Sequence, residues 1–171
     1  FQDIGKREQV REEEFAMSSA TIPAGLHVLQ TLHEDWQTVG TLVSEIGAFR
    51  LDGPGPQGDV EMLVVRLCAR LYALSRVEME LLYPLLEDCP ALESGRTMHE
   101  QMVGDVHALL DAVVGEDHFD TSIHRVAQHA HLLREFEYAQ IYPCCAGADV
   151  DSIGEQICSR RGQLLDSFNT E

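Results

Sequence analysis

Two histidines and two glutamates recur at matching places in this chain, and their chemistry is that of a metal-ion site. One segment runs Leu74-Ser75-Arg76-Val77-Glu78 and continues to Tyr83-Pro84; another runs Leu133-Arg134-Glu135-Phe136-Glu137 and continues to Tyr142-Pro143. In both, Leu stands four residues before Glu and Tyr-Pro follows five residues after it. Upstream of each lies a His-Glu pair with a large apolar residue one turn on, His33-Glu34 with Trp36 and His99-Glu100 with Met102. Imidazole supplies a neutral nitrogen and a carboxylate can bridge ions, a donor set suited to iron, manganese or zinc.

For these groups to converge they must face inward, and the periodicity says that they do. His33 shares a helical stripe with Leu29, Trp36 and Val43, and His99 shares one with Met102, Val103, Val106 and Leu110. Glu78 lies one turn below Leu74, and Glu137 one turn below Leu133 with Ala130 and Ile141. An unpaired carboxylate in an apolar interior costs on the order of several kcal/mol, comparable with the stability of a whole domain. A cation shared by His33, Glu78, His99 and Glu137 removes that cost. Buried ionic pairs without a metal are the other way to do so.

The elements that must position these residues are helices. A first helix is expected after Pro23 to about Ile46, ended by Asp52-Gly53-Pro54-Gly55-Pro56-Gln57-Gly58. A second runs from about Asp59 to Tyr83, a third from about Ser94 to Gly115, and a fourth from about Thr121 to Tyr142, each with apolar residues at helical spacing. A fifth, Ile153 to Phe168, is amphipathic and is expected on the outside. Four long helices with short connections read as an all-α, up-down-up-down four-helix bundle occupying residues 21–171, preceded by a charged arm at 1–20. Approximate twofold symmetry then places His33 opposite His99 and Glu78 opposite Glu137.

Composition narrows the partners. A net charge of −17, from 29 acidic and 12 basic side chains, disfavours nucleic acid and anionic membranes, which attract clustered Lys and Arg. No apolar run reaches the roughly 20 residues that span a bilayer, so a soluble protein is expected. Five cysteines, Cys68, Cys89, Cys144, Cys145 and Cys158, show no metal spacing and point to reduced thiols in a cytoplasm, with the vicinal Cys144-Cys145 pair as a candidate redox couple. No nucleophilic triad, phosphate loop or His-Glu-x-x-His motif is found, which turns the expectation from catalysis toward binding.

The His-Glu openings of the first and third helices, and a Glu six residues before the proline closing the second and fourth, resemble the hemerythrin-like, HHE cation-binding family over residues 24–143. The resemblance implies a four-helix bundle around a non-haem di-iron centre, in a family whose members bind oxygen, sense oxygen or iron, or help repair iron centres under nitrosative stress. Position by position, His33 and His99 match the histidines of the first and third helices, and Glu78 and Glu137 the carboxylates of two His-x-x-x-Glu motifs. Leu74 and Leu133 stand where those motifs place histidine. With two imidazoles missing, the resemblance implies one or two iron ions with open positions, serving oxygen, nitric oxide or iron sensing.

Other assignments remain open at this level. His131 and Glu135 form a literal His-x-x-x-Glu in a different register. Tyr83 and Tyr142 either pack over the bundle ends or donate hydrogen bonds to the carboxylates. A metal-free interaction module, working through its acidic surface, fifth helix and arm and open to dimerisation, is the alternative function; losing the ion while keeping the fold would produce it.

Overall fold

The computed structural model describes residues 27–51 and 57–168. The arm at 1–20, the helix start at Pro23 and most of the Asp52–Gly58 breaker lie outside the described residues. Every regular element among the described residues is helical. Helix α1 spans His27–Leu51, α2 Gln57–Val77, α3 Leu92–Leu110, α4 Asp117–Phe136 and α5 Gly154–Phe168. None of them is long and apolar enough to cross a membrane. The fourth helix begins earlier than its periodicity suggested because Glu116, in extended conformation, sets its entry just after Gly115, whose φ of 95° suits a residue without a Cβ.

The core is one continuous cluster. Trp36, Leu67, Leu71, Met102 and Leu133, all on the stripes that the periodicity identified, are among its largest fully buried members, but the third helix buries Leu109 and leaves Leu110, expected on its inward stripe, exposed. Helix α1 packs on α2, α2 on α3 and α3 on α4, and α5 lies across α2. Asp35 adds a polar tie. It is almost fully buried and pairs with Arg70 of α2 at 3.1 Å and Arg161 of α5 at 3.0 Å, so three helices share one carboxylate.

The second and fourth helices end alike. After Val77 the chain widens into a π turn, Glu78–Leu82, and then tightens into a 3-10 turn, Tyr83–Leu85. After Phe136 it does the same through Glu137–Ile141 and Tyr142–Gly147. Backbone hydrogen bonds from Tyr83 N–H to Glu78 O and from Tyr142 N–H to Glu137 O close both wide turns. In a regular helix, residues five apart diverge by about 140° around the axis. A five-residue turn brings them back to one side, so each Glu and the Tyr that follows it both reach the interior.

A disulfide joins Cys89, in the loop after the first of these endings, to Cys144, directly after Tyr142-Pro143. The reduced-thiol expectation therefore fails for this pair. Cys144 bonds across the fold instead of to its neighbour Cys145, whose thiol is buried and held protonated, its pKa pushed up to about 12 by burial and then by the charges of Glu137 and Glu78.

Candidate metal centre

Three of the four expected ligands meet. Glu78, His99 and Glu137 are fully buried, and ligand atoms from all three lie within 4.8 Å of one another. His99 reaches the site from the middle of α3, and the glutamates from the first positions of the two π turns. His99 Nε2 donates to Glu137 Oε1 at 2.9 Å and lies 3.1 Å from Glu78 Oε2. One N–H cannot aim at both oxygens, so the Glu78 contact is one of charge.

Two tyrosines complete the site in a crossed arrangement. Tyr83 donates to Glu137 Oε1, and Tyr142 donates to Glu78 Oε1 at 2.8 Å. Each half of the repeat thus supplies a phenol to the carboxylate of the other. Trp36 Nε1 donates to the Tyr142 oxygen at 3.3 Å, and the Tyr83 ring meets His99 edge-on at 5.4 Å. The sequence left these tyrosines with two roles, and they take the hydrogen-bonding one.

His33 stands apart from this group. Its Nδ1 pairs with the Tyr138 hydroxyl, its Nε2 lies 2.9 Å from the Gln37 amide, and it is half-buried. The twofold symmetry of the sequence therefore holds for the Glu and Tyr positions and is broken at the imidazoles. His131 and Glu135 are half-buried and are not part of the cluster, and His107 is exposed. His129 instead pairs with Asp105 on α3.

The electrostatics follow from burial. Burial alone would drive the His99 ring neutral, but its hydrogen bond to Glu137, its close contact with Glu78 and the charges of both carboxylates outweigh it and push its pKa up to about 9. Burial, and then repulsion from Glu78, push the Glu137 carboxyl up to about 7 against the pull of His99 and Tyr83. Both tyrosines are raised, by burial first and the neighbouring carboxylates second, and stay protonated. The site therefore holds on to protons that a cation would replace.

The donor set fits a metal ion. Glu78 Oε2 and Glu137 Oε2 are buried and accept no hydrogen bond, so each carboxylate keeps one oxygen available, that of Glu78 lying 3.1 Å from His99 Nε2. Buried polar atoms normally find partners, and two such oxygens on carboxylates clustered with one imidazole offer lone pairs to a cation. Three protein ligands of N,O,O type leave further positions open on any ion of ordinary coordination number.

One small residue protects the geometry. A Cβ on buried Gly95 would press into the Tyr83 hydroxyl and lie 3.0 Å from its Cζ. Gly95→Ala is expected to destabilise the fold by about 1–3 kcal/mol and to pull Tyr83 off Glu137. Denaturant unfolding checks it, through a lower midpoint at unchanged slope. An unchanged midpoint would show that Tyr83 moves freely.

Sequence reasoning missed Tyr138 and the widened turns. The signal was present in the Glu-to-Tyr spacing of five, which a regular helix cannot place on one face. Comparison of the chain with known protein families, curated proteins and solved structures finds no match.

Proposed function

We propose that the chain is a non-haem metal-binding protein of hemerythrin type, with α1–α4 as an up-down-up-down bundle around one or two iron ions, which manganese or zinc can replace. Glu78, His99 and Glu137 hold the ion, Tyr83 and Tyr142 fix the carboxylate rotamers, and His33 is a ligand only if its side chain turns away from Tyr138. The observation that carries this is the pair of buried carboxylate oxygens without hydrogen bonds, Glu78 Oε2 and Glu137 Oε2, on side chains that cluster with the His99 imidazole. Iron bound there supplies one-electron redox chemistry and open positions for a small ligand. That suits sensing or handling of oxygen, nitric oxide or iron better than catalysis on an organic substrate.

Binding must displace protons, which sets a pH dependence. His99, raised to about 9 when folded, stabilises the metal-free protein fully below its ordinary value near 6.5 and loses that contribution as pH rises through 9. Glu137, raised to about 7, likewise favours its protonated form, and its contribution is present below about 4.5 and lost through 7. The metal-free protein is thus expected to weaken from about pH 4.5 to 7 through Glu137 and from about pH 6.5 to 9 through His99, while affinity for Fe(II) or Zn(II) rises over the same span. Calorimetric titration in buffers of different ionisation enthalpy measures both affinity and proton release. Binding that is independent of pH, or equal in Glu137→Gln, would count against the site.

A second reading has its own observation. His99, Tyr83 and Tyr142 already give each carboxylate a partner, so the core closes without an ion. In that case the chain is a metal-free helical interaction module, and the titration shows no saturable binding.

A further inference from the structure

A line of aromatic side chains runs from the buried triad to the protein surface. Tyr142 donates to Glu78 at 2.8 Å, and its ring lies 5.1 Å from that of Tyr138, tilted by 55°. The Tyr138 hydroxyl in turn is hydrogen-bonded with Nδ1 of His33, which is half-buried and sits beside the exposed Gln37. Nothing in the cation-holding role of the triad requires this second tyrosine or its imidazole.

The geometry points to Tyr138 and His33 as a redox-active tyrosine–histidine pair that passes single electrons between the buried Glu78–His99–Glu137 centre and the surface. The inference rests on the metal-binding function for its inner terminus. Its chemistry belongs to the pair itself. A phenol that loses an electron becomes a very strong acid, so oxidation at an accessible potential requires a base already in place to take the proton. His33 Nδ1 is that base.

The step balances as follows. A strong one-electron oxidant in solution takes one electron from the Tyr138 ring and is reduced by one; an oxidising metal ion, were one held by Glu78, His99 and Glu137, would offer the same acceptor from the inner side. The Tyr138 O–H bond breaks and a His33 Nδ1–H bond forms, leaving a neutral phenoxyl radical hydrogen-bonded to an imidazolium. An external one-electron reductant refills the ring, and the proton returns from His33.

Three neighbours shape this step. The Gln37 side-chain amide stands with its nitrogen 2.9 Å from His33 Nε2; turned over about its last bond it presents its oxygen to the N–H there, which leaves Nδ1 as acceptor before the transfer and still suits the imidazolium after it. The Arg134 guanidinium sits 5.7 Å over the Tyr138 ring, so a ring that lost its electron but kept its proton would face a like charge. That favours concerted departure of both. Tyr72 provides an internal contrast, being half-buried like Tyr138 but in ring contact with His107 at 6.1 Å and Phe168 at 5.5 Å instead of a hydrogen-bonded base.

Flash photolysis of the metal-free protein with a photo-oxidised ruthenium polypyridyl complex tests the pair. Phenoxyl formation is read by transient absorption and by electron paramagnetic resonance. The expected result is a radical assigned to Tyr138 that is lost in Tyr138→Phe, forms more slowly in D2O, and forms about tenfold more slowly in His33→Gln. His33→Gln alters a half-exposed position, so circular dichroism and melting keep its result interpretable if Tyr138→Phe folds poorly. An undiminished signal in Tyr138→Phe, or an unchanged rate and isotope effect in His33→Gln, overturns the proposal. Because no metal is present, failure here bears on the relay alone, whereas failure of cation binding appears in the titration.

Discussion

Replacing His99 with leucine is expected to destabilise the metal-free protein by about 3–5 kcal/mol near neutral to mildly alkaline pH, the range in which breaking a buried ion pair falls. Among the described residues the imidazole is the basic group set between Glu78 and Glu137, and without it two carboxylates face each other in a dry core. Volume is not the reason, since leucine fills similar space. The cost should therefore shrink when charge is removed as well: His99→Leu with Glu137→Gln should recover a large part of it, and denaturant unfolding of the single and double variants measures that coupling. Lowering the pH should rescue the single variant too, because protonating a carboxyl relieves the repulsion. A loss that is the same in both variants and at both pH values would mean that packing, and not charge, sets the stability of this site.

Removing the disulfide should have an effect of similar size. The Cys89–Cys144 bond closes a loop of 55 residues containing all of α3 and α4. Chain entropy assigns a loop of that length about 4 kcal/mol of destabilisation of the unfolded state. Cys89→Ser is therefore expected to lower stability by about 2–4 kcal/mol when the wild type is oxidised, and by much less when both are studied with a dithiol reductant. The bond also sits just beyond Tyr83-Pro84 and Tyr142-Pro143, so it fastens together the two turns that carry the phenols of the site. Thiol titration of the denatured protein, with and without reductant, checks the pairing; equal stability of wild type and variant under oxidising conditions would speak against the tether.

Much of the site could be read from the sequence because duplication left a pattern at fixed spacing. Glu78 and Glu137 could be paired from their common Leu and Tyr-Pro neighbours, and His99 from its apolar stripe. His33 could not be placed by the same logic. Its stripe carries Trp36 where α3 carries Met102, and the indole reaches Tyr142, while Tyr138 offers the imidazole a partner nearer the surface. Helical periodicity specifies a face but not which of several polar partners a side chain on that face will choose. The inward aim of both tyrosines depended on backbone widening that a period of 3.6 residues does not contain. The Cys89–Cys144 pairing was out of reach for a different reason, since residues so far apart in sequence carry no local sign of their proximity. The all-helical class, by contrast, followed from apolar spacing alone, because the burial of Leu67, Leu71, Met102 and Leu133 repeats the stripes in the sequence.

The most direct measurement is a crystal structure of protein expressed anaerobically with added iron, with diffraction recorded on both sides of the iron absorption edge. The expected result is an anomalous peak within coordination reach of His99 Nε2 and the two carboxylate oxygens that lack hydrogen bonds, Glu78 Oε2 and Glu137 Oε2, and the loss of that peak in Glu137→Gln. An iron-replete preparation whose map shows no peak between those three side chains, with His99 still hydrogen-bonded to Glu137, would contradict it.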